Sequence, residues 1–358
     1  MAVRDADAID LAQLASRLHA SGSPDFADLQ SLAIRQFPAG FSNLTYLLTA
    51  TTANGERRYV LRRPPHGVAG GSAHNMGREW VLLRVLHPRG VPVPRPVIPI
   101  DDPSVISSLS YIMEHVDGVI LRGAHPSVLS HDPKVAAQTM TALSHAFVDA
   151  LADLHAVPVA GTPLETLGKP DGYVARQVAG WTDRWQRAQT TAIPTLDAVA
   201  SWLATHQPSG SDVALIHNDF KFDNLVFDPE TLTTVKAILD WEMATIGDPL
   251  MDLGTSLAYW VERDDHPIFR TLGLGMTALP GAFTRAELVA AYAARTNRDV
   301  QQIGFYYTFG LFKVAVIAQQ IFARHVRGLT ADDRFARLGA VVDALGARAE
   351  LVAHTGRL

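Results

Sequence analysis

The sequence contains no cysteine, and this absence excludes several kinds of site at once. Disulfides, thiolate nucleophiles, zinc–sulfur sites and iron–sulfur clusters all require thiols. The sequence also lacks an uninterrupted apolar run of about 18 residues, which a membrane-spanning helix needs. Its first ten residues, MAVRDADAID, carry acids where a signal peptide has a basic and then an apolar region, so a cytoplasmic protein is expected.

The sequence also has no excess of positive charge. The 358 residues include 31 Lys and Arg against 36 Asp and Glu, which gives a formal net charge of −5. No basic field is present to attract nucleic acid or an anionic membrane, so neither is expected as a partner. With 47% hydrophobic and 19% charged residues, the composition is that of a globular protein with one large domain or two lobes.

The hydrophobic pattern changes character along the chain. After an N-terminal helical stretch, β-like runs at 45–51 and 58–63 flank the turn residues Asn54-Gly55, which predicts a hairpin. A helix is predicted over Met76–Leu86, and further β-like runs follow up to residue 116. The later sequence is mainly helical, with periodic stretches at 133–155, 191–206, 284–296, 301–327 and 331–353.

This division predicts an α+β protein made of a small β-rich N-lobe and a large, mainly helical C-lobe. The N-lobe is expected to span residues 1–116 and the C-lobe 117–358, with a hinge at 111–118.

The segment from His217 to Asn224, with the sequence HNDFKFDN, carries the chemistry. Two short apolar runs follow it, joined by a tight turn, and the second ends at Asp240. An antiparallel hairpin there is expected to bring Asn224 and Asp240 to the same end. One carboxylate and one amide oxygen are too few for a complete cage. They suit Mg²⁺, which keeps several waters and shares its coordination shell with phosphates.

Two further side chains of this segment have assignable chemistry. The carboxylate of Asp219, five residues before Asn224, is placed to accept the proton of an attacking hydroxyl group. The ammonium group of Lys221 can neutralise charge on a transferring phosphoryl group. We therefore take Asp219 and Lys221 as the candidate catalytic residues.

The pattern H-x-D-x-K-x-x-N, followed by a hairpin and an Asp, resembles the motif shared in outline by protein kinases and aminoglycoside phosphotransferases. The sequence is similar to the aminoglycoside phosphotransferase family over roughly residues 30–330. The resemblance implies a protein-kinase-like bilobal fold, with Mg²⁺ as cofactor and ATP, or GTP, as phosphoryl donor. It also implies that Asp219 is the catalytic base, that Asn224 and Asp240 bind magnesium, and that Lys221 faces the γ-phosphate.

The same resemblance assigns nucleotide-binding positions in the N-lobe. The nucleotide-covering loop contributes Ser42 and Asn43. The strand cation is Arg62, and its acidic partner on the following helix is Glu79. The hinge backbone that meets the adenine edge lies at Glu114 and Val116. The chain departs from the family at Arg62, where the family has lysine. Because side chains alternate along a strand, only one of Arg62 and Arg63 is expected to face the nucleotide, and we favour Arg62.

The acceptor is harder to infer. Residues 300–331 contain no Asp or Glu, which argues against a polycationic acceptor such as an aminoglycoside. Residues 59–65, Arg78-Glu79 and 176–181 are similar to the kinase-like domain fused to some acyl-CoA dehydrogenases, which implies a hydroxyacyl-CoA or a related hydroxy metabolite. The predicted acceptor-side residues are Arg176, Trp181, Tyr259, Trp260 and Lys313.

Two alternatives stay open on the sequence. One is phosphorylation of an aminoglycoside or macrolide antibiotic. The other is a catalytically silent protein that binds nucleotide, for which the arginine at position 62 is the argument. Asp252 and His155 are interpreted as structural residues that brace the catalytic loop.

Overall fold

The chain folds into two compact units. The computed structural model describes residues 9–37, 43–65, 75–106, 108–123, 126–210, 212–272, 275–330 and 332–358. The first unit contains the chain up to Gly118 together with Lys236–Met243, and the second contains Val119–Val235 and Ala244–Leu358.

The helices and strands of the described residues are numbered in chain order. The helices are α1 (Leu11–His19), α2 (Met76–Leu86), α3 (Pro133–His155), α4 (Tyr173–Ala188), α5 (Pro194–Thr205), α6 (Pro249–Tyr259), α7 (Arg285–Thr296), α8 (Ile303–Val326) and α9 (Leu338–Thr355). The strands are β1 (Leu29–Gln36), β2 (Leu44–Thr52), β3 (Gly55–Arg63), β4 (Pro96–Ile100), β5 (Ser110–Glu114), β6 (Val119–Ile120), β7 (Ala214–Ile216), β8 (Leu225–Phe227), β9 (Val235–Ile238) and β10 (Thr245–Gly247).

The first unit is built on a five-stranded antiparallel sheet with the order β1-β2-β3-β5-β4. The predicted hairpin is β2–β3, and its turn closes where Thr52 pairs with Gly55, which has a φ of 107° that favours glycine. One face of the sheet packs against α1, where Leu14 and Leu18 are fully buried. This core fixes β3, so the position of Arg62 is set by a buried strand.

One segment differs from the predicted division of the chain. The sequence analysis placed Asp240 with the helical part, whereas residues 236–243 group with the first unit. The backbone of Ile238 donates to the carbonyl oxygen of Pro92 at 2.7 Å, and Asp240 contacts Arg62. These contacts hold the segment to the small unit, and a local hydrophobic pattern carries no signal for pairings so distant in sequence.

The second unit is mainly helical, and its described residues include the short strands β6, β7, β8 and β10. Strand β7 pairs antiparallel with β10, and the segment 217–224 begins directly after β7. Helix α6 begins next to β10, with Asp248 as its N-cap and Pro249 at its first position. The sheet edge and the start of α6 therefore meet at the catalytic segment.

Helices α6 and α8 approach each other with backbone against backbone. A Cβ atom at Gly254 of α6 would overlap the carbonyl of Tyr306, and one at Gly310 of α8 would overlap the carbonyl of Gly254. Most of α8 is buried, including Lys313. Only glycine permits this separation, because any side chain would force the two helices apart.

Most of the predicted elements are found. Helices α2 and α3 have the predicted bounds, and α5, α7 and α8 lie within the predicted stretches. Helix α4 was not predicted, although its buried apolar residues recur at the spacing of one helix face. Among the described residues, no helix is both long enough and apolar enough to span a bilayer.

Candidate active site

The catalytic segment of the second unit is a loop that turns sharply after β7. Asn218 adopts a φ of 66°, in the left-handed region that residues other than glycine seldom occupy. The loop then ends in a single 3₁₀ turn over Phe222–Asn224, which leads into β8. These two features hold Asp219 between a strained turn and a helical turn.

The structure brings Asp219, Lys221 and Asn224 together. The Nζ of Lys221 donates to both carboxylate oxygens of Asp219, at 2.9 and 2.7 Å. The amide nitrogen of Asn224 donates at 2.9 Å to the carboxylate and also to the backbone carbonyl of Asp219. The Asp219 side chain is 17% exposed, so solvent and a small molecule can reach it. A partly exposed carboxylate fixed from two sides is a suitable proton acceptor.

Helix α6 supports this loop from beneath. The fully buried carboxylate of Asp252 accepts from the backbone N–H groups of His217 at 2.6 Å and Asn218 at 2.7 Å. The Nε2 of His155 lies 3.1 Å from the same carboxylate. Burial by itself raises the pKa of Asp252, but the hydrogen bond and charge of His155 outweigh it and lower that pKa below its usual range. Asp252 is therefore a brace of the loop, as the sequence suggests.

Helix α8 supports the loop from the other side. The Nζ of Lys313, which is 1% exposed, donates to the carbonyl oxygen of Asn218 at 2.6 Å. Burial lowers the pKa of Lys313 to about 8, although the carboxylates of Asp219 and Asp252 favour its charged form. The sequence analysis placed Lys313 on the acceptor side, and the structure instead uses its ammonium group to hold the loop backbone next to Asp219.

A small, largely apolar pocket lies beside Lys221. It is lined by Leu121, Gly123, Phe147, Lys221, Phe222, Asp223, Ser256, Tyr259, Trp260, Met276 and Thr277. The Nζ of Lys221 lies 4.7 Å from the centre of the Tyr259 ring. Burial, reinforced by the Asp219 charge, raises the pKa of Tyr259 well above its ordinary value. The structure therefore brings Tyr259 and Trp260, both predicted on the acceptor side, to one pocket next to the catalytic loop.

Two other predicted acceptor residues have different surroundings. The guanidinium group of Arg176 donates to the carbonyl oxygens of Lys169 and Asp171 in the loop before α4, which ties it to the local backbone. Trp181 is buried, and the Nζ of Lys313 lies 5.7 Å from the centre of its ring. Arg176 is thus engaged in shaping its own loop, whereas Trp181 contacts the support of the catalytic loop.

The first unit holds a separate cluster centred on Arg62. Its guanidinium nitrogens lie 3.0 Å from Asp240, 3.4 Å from Glu79 and 3.9 Å from Glu242. Asn43 joins the cluster by donating from its amide to Glu242 at 2.9 Å and to Glu79 at 3.4 Å. Arg62, its predicted partner Glu79 and the predicted metal-binding residue Asp240 therefore lie in one cluster. Glu242 was missed, although it follows Asp240 by only two residues.

The electrostatics of this cluster are dominated by burial. Burial raises the pKa of Glu79 above its usual range, against the Arg62 charge and a hydrogen bond from the Tyr111 hydroxyl at 2.7 Å. Asp240 has a φ of 65°, so this carboxylate is presented from a strained backbone. A single arginine faces three carboxylates here, which leaves the site attractive to a further cation.

The remaining nucleotide-binding predictions lie in the first unit or outside the described residues. Glu114 is the last residue of β5, and its backbone N–H donates to the carbonyl oxygen of Arg95 at 2.9 Å. Val116 follows in the segment without regular structure that precedes β6. Ser42 lies outside the described residues.

The residues present suit a magnesium ion. Asp240 has carboxylate oxygens and Asn224 has an amide oxygen, and oxygen donors of these two kinds are what Mg²⁺ requires. Because the amide nitrogen of Asn224 is the atom that donates to Asp219, its oxygen is the atom left for a cation. Among the described residues there is no group of three or more His, Asp or Glu arranged to hold a metal.

Arg62 gives a test of the cluster. We expect Arg62→Lys to destabilise the protein by about 1–2 kcal/mol, because an ammonium group cannot serve three carboxylates as a planar fork does. The charge is kept, so stabilisation by MgATP should persist in Arg62→Lys and disappear in Arg62→Met. Melting temperatures with and without MgATP measure both effects, with Arg63→Lys on the same strand as the control. A persistent MgATP response in Arg62→Met would contradict a nucleotide-binding role.

Comparison with known proteins identifies the family to which this chain belongs. A sequence profile of the phosphotransferase enzyme family matches residues 33–302. The chain is 33% identical over 299 residues to acyl-CoA dehydrogenase family member 10 of Mus musculus. That match covers 83% of this chain but 27% of the mouse protein, so the chain spans about a quarter of the length of this relative.

Solved structures agree with the fold. A putative aminoglycoside phosphotransferase from Ralstonia eutropha superimposes with a TM-score of 0.80 at 28% identity, covering 97% of this chain and 99% of that one. A spectinomycin phosphotransferase in complex with ADP and spectinomycin superimposes with a TM-score of 0.59 at 11% identity, covering 96% of this chain and 99% of that one. The second likeness concerns the fold alone.

Proposed function

The chain belongs to the phosphotransferase enzyme family, and on that premise we propose that it transfers the γ-phosphoryl group of ATP to a hydroxyl group of a hydroxyacyl-CoA or a related hydroxy metabolite. The observation that carries the proposal is the Asp219 carboxylate, held by Lys221 and Asn224 on a loop braced by Asp252. A loop fixed in this way presents one proton acceptor at a defined position.

In the proposed reaction, Asp219 accepts the proton of the acceptor hydroxyl. The hydroxyl oxygen forms a bond to the γ-phosphorus, the bond between that phosphorus and the β–γ bridging oxygen breaks, and ADP leaves. The Nζ of Lys221, at 2.7 Å from Asp219, fixes the carboxylate and offers positive charge to the phosphoryl group. Asn224 holds the Asp219 carboxylate in position through a second hydrogen bond.

The residues for the nucleotide and its metal follow from the family resemblance. Arg62, held by its ion pair with Glu79, and Asn43 would contact phosphate, and the backbone near Glu114 and Val116 would meet the adenine. Asp240 and Asn224 would hold Mg²⁺, which when bound neutralises phosphate charge. The ADP-bound phosphotransferase of the same fold supports a nucleotide as the donor.

The acceptor class rests on two observations. A relative at 33% identity is named an acyl-CoA dehydrogenase family member, which supports an acyl-CoA derivative as the acceptor. The pocket beside Lys221 is largely apolar, and the residues that line it include a single acidic side chain, Asp223. A lining with one carboxylate offers little negative charge to a polycation, which supports an uncharged or anionic acceptor.

The experiment has two stages. First, the melting temperature is measured with ATP and with GTP, each with and without Mg²⁺, because a ligand that binds only the native state raises it. At a nucleotide concentration of about 100 times Kd the stabilisation should be about 2.7 kcal/mol. Second, ADP release is measured with hydroxyacyl-CoAs, free hydroxy acids, an aminoglycoside and a macrolide.

We expect a shift that depends on Mg²⁺, followed by ADP release that depends on a hydroxyacyl-CoA or hydroxy acid. Turnover with an antibiotic alone would move the assignment to an antibiotic phosphotransferase. Binding of MgATP with no turnover on any hydroxyl compound would identify a catalytically silent protein, and no binding of either nucleotide would overturn the proposal.

A further inference from the structure

A basic groove lies on the second unit between α4 and the C-terminal part of α8. It has a volume of about 440 Å³ and is lined by Arg184, Arg187, Ala188, Gln320, Ala323, Arg324 and Arg327. All four charged side chains in its lining are arginines. This concentration of positive charge contrasts with a chain whose net charge is −5.

The groove lies on the same face of α8 as Lys313. Gln320, Arg324 and Arg327 follow Lys313 by seven, eleven and fourteen residues, spacings that return to one side of an α-helix. At 1.5 Å per residue, Arg324 and Arg327 lie about 16 and 21 Å along α8 from Lys313. Lys313 itself donates to the carbonyl of Asn218, the neighbour of Asp219.

Trp181 on α4 connects the two ends of this face. The guanidinium carbon of Arg184, which lines the groove, lies 4.8 Å from the centre of the Trp181 ring. The Nζ of Lys313 lies 5.7 Å from the centre of the same ring. A continuous row of side chains therefore leads from the support of the catalytic loop to the arginines.

We propose that this groove binds the phosphate groups of an elongated acceptor whose hydroxyl reaches Asp219, and that the phosphates are those of a coenzyme A moiety. The inference rests on the proposed function and assigns a subsite to its acceptor. Four guanidinium groups match several phosphate oxygens, because each can donate two parallel hydrogen bonds. The distance along α8 requires an extended arm between the phosphates and the reacting hydroxyl.

The arginines are available for such a ligand. Arg187 is paired with Asp183, but both side chains are more than half exposed, so this ion pair contributes little and can be exchanged. Arg324 and Arg327 are exposed near the end of α8. Positive charge there also complements the helix dipole, so the test must separate ligand binding from helix stability.

The test measures binding rather than turnover. Isothermal titration calorimetry gives Kd for coenzyme A and for pantetheine, which lacks the phosphates, with a non-hydrolysable ATP analogue and Mg²⁺ present to occupy the nucleotide site. We expect Arg324→Ala/Arg327→Ala to weaken coenzyme A binding by about tenfold or more, since two charge-assisted contacts are lost. Pantetheine binding should not change.

The matched control is Lys134→Ala/Arg334→Ala, which removes the same charge from two exposed positions of the second unit that do not line the groove. It should leave the Kd for coenzyme A within about twofold, because neither side chain lines the groove and exposed charges are screened by salt. Melting temperatures of both double variants report any effect on the helix end, which a purely structural role would show without a change in Kd.

Three results would overturn the subsite: equal affinity of the wild type and the groove variant for coenzyme A, an equal loss in the control, or no binding of coenzyme A to the wild type. Each is distinct from failure of the proposed function. Phosphorylation of a hydroxy acid, with no binding of coenzyme A, would support the proposed function and contradict the coenzyme A subsite. Coenzyme A binding that depends on the arginines, with no phosphorylation of any acceptor, would support the subsite and contradict the proposed function.

Discussion

Asp219→Asn should lower the turnover number about 10²–10⁴-fold, because it removes the proton acceptor used in the transition state. Asparagine has nearly the same shape as aspartate, so the loop can keep its path between Lys221 and Asn224. The affinity for MgATP should therefore change little. Steady-state kinetics with a working acceptor, combined with nucleotide titration, measures both quantities.

Asp228→Asn is the matched control for this variant. Asp228 is a carboxylate on the turn after β8, where it accepts from the backbone of Glu230 and Thr231 at 3.0 Å. Asparagine can make the same turn contacts, so turnover should stay close to that of the wild type. A loss of nucleotide affinity in Asp219→Asn as large as its loss of turnover would contradict the role as base, since it would show that the whole site had collapsed.

Asp252→Ala should destabilise the protein by about 3–5 kcal/mol, because it removes a buried charge that accepts from two backbone N–H groups and contacts His155. The donors of His217 and Asn218 would be left without this acceptor, and an unsatisfied buried donor loses its hydration without replacement. Denaturant unfolding, followed through the transition that includes the second unit, measures the change.

The pH dependence of this difference has a defined sign. The folded-state pKa of Asp252 is lowered, so its contribution to stability is present above the ordinary aspartate pKa of about 3.9 and is lost as the pH falls through the lower, folded-state value. The gap in stability between the wild type and Asp252→Ala should therefore be complete near pH 7 and narrow only in strong acid.

Asp248→Ala is the comparison on the same helix. Asp248 is the N-cap of α6, where it accepts from Leu250 N at 2.8 Å and from the hydroxyl of Tyr306 at 2.8 Å. Loss of a cap costs about 1–2 kcal/mol, less than the loss of the Asp252 brace. Equal destabilisation by the two substitutions would show that Asp252 acts only through α6 and not through the loop.

The sequence is most informative where function is local. Asp219, Lys221 and Asn224 lie within six residues, and the motif along the chain predicts that they form one site. Their hydrogen bonds join the three side chains. Arg62 was chosen over Arg63 from strand alternation and is the residue that contacts Glu79 and Asp240. The roles of these residues in phosphoryl transfer stay predictions until they are measured.

Contacts between distant segments could not be predicted. Lys313 lies 95 residues from Asn218 in sequence, and nothing in the pattern of α8 distinguishes an ammonium group that holds a backbone carbonyl from one that lines a pocket. The grouping of residues 236–243 with the small unit depends on similar long-range contacts. Helix α4, which supplies Trp181 and Arg184, is a different case, because Val174, Val178, Trp181, Trp185 and Ala188 recur at the spacing of one helix face and could have predicted it from the sequence.

The contact of α6 with α8 through Gly254 and Gly310 has a consequence for sequence variation in this protein. The loop that carries Asp219 is attached to both helices, through Asp252 on α6 and Lys313 on α8. A methyl group at either glycine would overlap backbone atoms of the facing helix, which cannot rotate away. The two helices would move apart, and with them Asp252 and Lys313, which hold the loop. Homologous sequences that exchange either glycine should carry compensating changes nearby, so variation at these two positions is restricted by the loop that both helices hold.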